Sequence, residues 1–195
     1  GKFWGLRRLA DAAGRFKMLA VDRRPAIADR VRERRGEAEP RAGDVRAVER
    51  VLMEALRGHA SAVVADPSGA LTDALVLLDP AHGLVIPLDD PRFAATESGR
   101  RSAEIEAWTV AKIKRIGADA VKLLVWYRPD QDAASRAHQE ELVQRTGAAC
   151  ARYDIPFLLE LRVYPFPGAA AAGVDDAVAP RERADLVLAS VERFA

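Results

Sequence analysis

Cysteine occurs only once, at Cys150, so the chain carries no internal disulfide framework and suits a reducing compartment. A cytoplasmic location is the expectation. Lysine is almost as sparse: Lys2, Lys17, Lys112, Lys114 and Lys122 are the whole set, and arginine supplies most of the positive charge. The three histidines, His59, His82 and His138, have no partners at the spacing of a metal site or a catalytic triad, so neither metal nor cofactor is expected. No apolar run approaches the roughly 18 residues of a membrane span, and no signal-peptide pattern opens the sequence. A formal net charge of +1 gives no reason to expect nucleic acid or an acidic membrane surface.

What is present is ordinary for a globular protein: 195 residues, 49% apolar and 30% charged, enough for one domain with a sizeable core. Short apolar runs alternate with helical patterns. The predicted strands are Phe16–Asp22, Ala60–Asp66, Gly83–Leu88, Ala120–Tyr127 and Ile155–Leu161, with Pro87 confined to the end of the third. Helices are predicted over Phe3–Ala13 with Gly14 as C-cap, Gly43–Arg57, Ser102–Ile116, Ala133–Tyr153 and Arg181–Phe194. The charged run Arg30–Glu39 reads as a solvated helix end and loop, or as a loop that meets a phosphorylated ligand. Gly168–Gly173 reads as a flexible active-site loop or as disorder.

Alternating strands and helices predict βαβ units and a parallel sheet, either doubly wound or closed as a (β/α)8 TIM barrel. The first turn reads Asp22-Arg-Arg-Pro25 and has no Gly-x-Gly-x-x-Gly, which removes support from a dinucleotide-binding sheet. Polar residues end many strands: Asp22, Asp66, Asp89-Asp90, Arg128-Pro-Asp130 and Arg162. A barrel predicts that pattern, because its active site is built from all the βα loops. The expectation is an α/β fold of the TIM-barrel type, residues 1–195 forming one domain with about five βα units, cut before a sixth strand.

Two charges interrupt the apolar strands. Lys122 lies in Ala120–Tyr127 and Glu160 in Ile155–Leu161. Charged side chains are seldom buried unless paired, because removing their water is expensive. Alternation along a strand places Lys122, Leu124 and Trp126 on one face and Leu158, Glu160 and Arg162 on one face. If both faces point inward, Lys122 and Glu160 meet across neighbouring strands. Such a pair serves proton transfer around a carbonyl, or Schiff-base chemistry directly, or simply fixes packing. Asp22 and Asp66 end their strands and either bind hydroxyls or cap the next helix. Cys150, on a long helix, reads as packing.

These segments, in order, resemble the class I tagatose-1,6-bisphosphate aldolases, a branch of the deoxyribose-phosphate-aldolase-like barrels that includes sulfofructose-phosphate aldolases. The matching pieces are Leu19–Arg24, Ala60–Pro67, Thr96–Arg100, Trp108–Lys114, Gly117–Leu124 and Asp154–Leu161. The resemblance implies a barrel that cleaves a ketose bisphosphate through a lysine imine, without a metal, to dihydroxyacetone phosphate and an aldehyde. It implies a catalytic group of Lys122, Glu160 and Asp22, with Lys122 binding substrate oxygens or tuning the imine lysine. Arg23, Asp66, Arg100, Arg128 and Arg162 are expected to bind the phosphorylated sugar. Gln is usual in the family where Arg23 stands, and Arg128-Pro129 also departs from its pattern. The family's imine lysine falls on a sixth strand, beyond this sequence. The second reading is a non-catalytic sugar-phosphate-binding or scaffolding relative that dimerises through open sheet edges. A third makes Lys122 the nucleophile. Homo-oligomerisation is expected under the first two.

Overall fold

The computed structural model describes residues 1–22, 24–36, 40–166, 178 and 180–195. Five strands form one parallel sheet: β1 (Met18–Val21), β2 (Ala62–Ala65), β3 (Gly83–Pro87), β6 (Ala120–Trp126) and β7 (Phe157–Arg162). Their spatial order is their chain order. A doubly wound sheet reverses direction at a switch point, whereas a barrel wall proceeds one way. The sheet is a curled half-barrel, as expected from the sequence.

The strand sequences explain the layering. Ala62-Val-Val-Ala65 and Gly83-Leu-Val-Ile-Pro87 are buried at every position, as strands covered on both faces must be. On the outer face, Val121, Leu123 and Val125 of β6 are fully enclosed with Ile113, Leu142 and Cys150 from the covering helices. Those helices include α3 (Ala42–Leu56), α5 (Val110–Arg115) and α6 (Ala133–Arg152). The inner face divides by height. Its lower part is a small cluster of Ala62, Val64, Val85 and Ala120 with Leu9.

Leu9 comes from α1 (Lys2–Leu9), which packs under the sheet. Arg8 holds it there, its guanidinium donating to Asp119 Oδ1 at 2.7 Å and to the carbonyls of Pro80 and His82 at 2.7 and 2.6 Å. Gly5 permits the close approach: a Cβ there would stand 2.4 Å from the Asp119 carbonyl oxygen.

Two local expectations are corrected. The opening helix stops at Leu9, not Ala13. Ala10 bridges to Phe16, and Gly14, at φ 76°, serves the tight turn between them rather than a C-cap. The helix expected over Ser102–Ile116 begins as strand and turn and is helical only over its second half. β4 (Asp89–Ala95) and β5 (Arg100–Glu104) form an antiparallel hairpin, and α5 starts only after the N-cap Thr109, whose side chain accepts from the Lys112 amide at 3.1 Å. Tertiary pairing overrides the helical spacing here. The Ser102 amide donates to Gln139 Oε1 of α6 at 3.1 Å, and Ser102 Oγ accepts from the Trp126 amide at 3.2 Å. The charged run Arg30–Glu39 starts as the end of α2 (Arg24–Arg35), in agreement with its reading as a helix end, and residues 37–39 lie outside the described residues. The Gly168–Gly173 stretch lies outside the described residues. Helices α4 (Leu71–Leu77) and α7 (Pro180–Phe194) complete the chain.

Leu9 is fully buried at the foot of the sheet, so Leu9→Ala is expected to cost about 2–5 kcal/mol of stability. Urea unfolding of the variant checks this; a loss under about 1 kcal/mol would mean that α1 is not a structural floor.

Candidate active site

Above the apolar floor the inner face turns polar. Lys122 stands midway along β6, in register with Leu158 of β7, while Glu160 stands opposite Leu124. Opposed residues of paired strands share a face, so Lys122 and Glu160 both point inward. Their charged ends meet at 2.9 Å between Lys122 Nζ and Glu160 Oε2. Asp22, immediately after β1, reaches the same ammonium from the other side, with its Oδ2 2.6 Å from Nζ. The Lys122 and Asp22 side chains are only 10% and 4% exposed, whereas Glu160 is 38% exposed and forms the solvent-facing side of the trio.

A fourth charged group closes in from below the hairpin. Asp89 follows β3 and opens β4, and its Oδ1 accepts from the Leu124 amide at 2.8 Å. Burial lowers the affinity of an amine for its proton, but Asp89, Asp22 and Glu160 together outweigh that loss and hold Lys122 above the ordinary lysine range. Burial dominates at Asp89, reinforced by the charge of Asp22. The counter-pull of Lys122 and of the Leu124 amide leaves its carboxyl pushed up to about 6.

A cavity of about 250 Å³ opens on this cluster, lined by Asp22, Asp89 and Lys122 together with Phe93, Trp126 and Arg162. Arg162 lies over the Trp126 ring, 4.7 Å from its centre. Arg100 is stacked among three rings, 4.3 Å from Phe93, 4.5 Å from Trp126 and 4.7 Å from Tyr164. Stacking of this kind holds a guanidinium group in a fixed orientation. A wider, largely apolar groove of about 690 Å³ runs between α2 and α3 and contains none of these groups.

The remaining candidates lie apart. Arg128 is buried and turned toward α7. It donates to Asp130 at 2.9 and 2.8 Å, to Glu182 at 3.0 Å and to the Tyr164 carbonyl at 2.7 Å. Asp66 is buried at the end of β2, where its Oδ1 accepts from the Ser68 amide at 2.8 Å and its carbonyl receives the amides of Gly69 and Leu71. It shapes the turn into α4, which begins at Leu71. Arg23 lies outside the described residues. Among the described residues no group of three or more His, Cys, Asp or Glu is placed to hold a metal ion.

Asp89 is the residue that sequence reasoning passed over. It was one of several polar strand ends, and nothing local distinguishes it from Asp90. Its signal is positional, since it follows a fully buried strand next in line to the strand bearing Lys122. Cys150 is buried as expected, and its thiol is pushed up to about 11 by burial.

Comparison with known proteins agrees with this geometry. A family model for DeoC/LacD family aldolases matches residues 16–187, and the chain belongs to that family. It is similar to the tagatose 1,6-diphosphate aldolase of Listeria monocytogenes, with 33% identity over 164 residues, 84% of this chain and 48% of the relative. The tagatose 1,6-diphosphate aldolase of Streptococcus agalactiae is 30% identical over 178 residues, 91% of this chain and 54% of the relative. The chain thus spans about half the length of the curated relatives it matches. Among solved structures, an archaeal fructose 1,6-bisphosphate aldolase superposes with a TM-score of 0.56 at 20% identity, over 97% of this chain and 66% of that one. A second archaeal structure, with the catalytic lysine bound to a carbinolamine intermediate, gives 0.53 at 18%, over the same shares. At these identities the likeness supports the barrel fold.

The raised Asp89 carboxyl has a stability consequence whose sign follows from linkage. The folded chain binds this proton more tightly than the unfolded chain, so the stabilisation is complete below about pH 4 and is lost as the pH rises through about 6. Asp89→Asn keeps an acceptor for the Leu124 amide and removes the titration. Its stability relative to the unaltered chain is expected to improve by about 1–3 kcal/mol between pH 4 and pH 7. Urea unfolding across that range is the measurement, and a difference that stays constant with pH would contradict the assignment.

Proposed function

We propose that this chain supplies the polar wall of the active site of a class I, imine-forming aldolase. The reaction is cleavage of a phosphorylated ketose, such as tagatose 1,6-bisphosphate, to dihydroxyacetone phosphate and an aldehyde. The observation that carries the reading is the Lys122 ammonium held between Asp22 and Glu160 inside the open end of a parallel barrel sheet. An aldol cleavage needs a hydroxyl proton removed as the carbon–carbon bond breaks, and protons delivered to and taken from the carbinolamine as the imine forms and hydrolyses. Asp22 and Glu160 are carboxylates in reach of such protons, and Lys122 is a fixed donor to a substrate oxygen. Arg162, which lines the cavity, and Arg100, stacked with it on the Trp126 ring, are assigned as phosphate partners, with Arg23 carried by the resemblance alone; Arg128 and Asp66, engaged elsewhere, are left out of the substrate-binding assignment.

Lys122 itself is assigned as a cation, not as the imine-forming amine. Its three neighbouring carboxyls favour the protonated form, whereas a nucleophilic lysine needs desolvation or a second cation to stay neutral. The imine lysine is accordingly assigned outside this chain, in a barrel domain of which residues 1–195 form the first five βα units. Self-association through the open edges of β1 and β7, and a cytoplasmic setting, belong to the same reading. The alternative is a sugar-phosphate-binding relative without catalysis. It is favoured by one observation: among the described residues, Lys122 is the only lysine lining the cavity, and it is held cationic.

The test is borohydride trapping with dihydroxyacetone phosphate, followed by intact mass and peptide mapping. This chain is expected to give no adduct. A protein of the relatives' length carrying this segment is expected to give one, on a lysine outside it. In that longer protein Lys122→Met should lower kcat by about 10²–10⁴ while trapping persists. An adduct on Lys122 would overturn the assignment of the nucleophile, and no adduct in the longer protein would leave the binding relative.

A further inference from the structure

The cluster sets three carboxyls around one ammonium. Lys122 is shared by Asp22 and Glu160, and Asp89 has no cation of its own among the described residues. The charged groups around Asp89 are Lys122 on β6, Asp22 after β1, Glu160 and Arg162 on β7, Asp90 beside it, Glu104 opposite it on β5, and Asp29 on α2. The outer three carboxylates have arginine partners: Asp90 with Arg92 at 2.9 Å, Glu104 with Arg145 at 3.3 Å and Asp29 with Arg32 at 2.9 Å. Asp89 is different. It is 8% exposed, one oxygen is fixed by the Leu124 amide, and the side chain lines the cavity beside Asp22 and Lys122. Among the described residues no hydrogen bond to its other oxygen, Oδ2, is made by a side chain.

We propose that Asp89 is the proton-carrying carboxyl of this cavity and that, through Lys122, it sets the charge the site shows to an anionic polyol. With Asp89 ionised, three carboxylates surround one ammonium. With Asp89 protonated, one negative charge is gone, and Oδ2 becomes a hydroxyl donor aimed at a ligand oxygen. Neighbouring carboxyls whose environments drive their protonation apart are the usual means by which one site holds a base and an acid together. Here Lys122 is bonded to Asp22 and Glu160, while burial leaves Asp89 to take the proton. Asp89 is therefore a positioning residue for the ligand's charge as well as a proton store. This deepens the aldolase reading, relying on it only for the class of ligand.

Two measurements on the full chain test it. In protein labelled with ¹³C-aspartate, one carboxyl resonance is expected to titrate with a midpoint at about 6. It should vanish in Asp89→Asn, move down in Asp22→Asn, which removes a like charge, and move up in Lys122→Met, which removes a cation. The second is the affinity for 2,3-dihydroxypropane-1-sulfonate, a three-carbon polyol whose anionic group does not titrate in this range. The unaltered chain is expected to bind it roughly threefold to tenfold more tightly at pH 5 than at pH 7.5, the effect of one charge at site distance with salt screening. Asp89→Asn should bind with little pH dependence. The proposal fails if the resonance near 6 persists in Asp89→Asn or is missing from the unaltered chain. It also fails if both proteins share one pH dependence, or if neither binds the sulfonate at pH 5. Neither readout involves an imine, so a negative borohydride experiment would leave the result standing.

Discussion

An ammonium in the wall of an aliphatic sheet is held in place only if carboxylates reach it from several directions, and the upper half of this structure is arranged around that requirement. Lys122 takes one partner from the end of β1 and one from β7, with a third carboxyl close by at the start of the hairpin. Buried ion pairs of this kind seldom add stability over apolar replacements of the same volume. Their presence in a strand otherwise made of Ala, Val, Leu and Trp is better accounted for by what the charges do to a ligand than by what they do for the fold.

The inner face of the sheet grades from floor to mouth. At the floor, alanine and valine leave room for one leucine from α1, and Arg8 fastens that helix through a carboxylate and two carbonyls of the turn that leads into β3. In the middle are the charges. At the mouth the hairpin and β7 bring aromatic rings together with two arginines, so cations that water would otherwise scatter are stacked and oriented. Ser102, Gln139 and the Trp126 backbone lock the hairpin to β6 and α6, so the mouth is built on the same frame as the charged cluster.

Much of this was legible from residue order. The five parallel strands are the five apolar runs, displaced by at most two residues at their ends, and the alternation along β6 and β7 correctly placed Lys122 and Glu160 on one inner face. The hairpin was not legible. Ile105, Trp108, Ile113 and Ile116 keep a helical spacing, and only the antiparallel partner at residues 89–95 makes a strand of residues 100–104. Asp89 was obscure for a related reason, because its burial depends on that hairpin folding over it. Arg128 illustrates the opposite case. A cation after a barrel strand reads as a ligand group, yet Asp130, Glu182 and the Tyr164 carbonyl occupy its donors. Such partners are close in space but, apart from Asp130, distant in sequence.

The bond between Lys122 and Asp22 joins residues 100 positions apart. Its two ends belong to strands separated in the sheet by β2 and β3, so it forms only after three successive strand pairings are in register. Closing so long a loop carries an entropic cost that the intervening pairings must already have offset. The charged cluster therefore records the completed assembly of the sheet: a partly folded chain can possess every strand and still have no site.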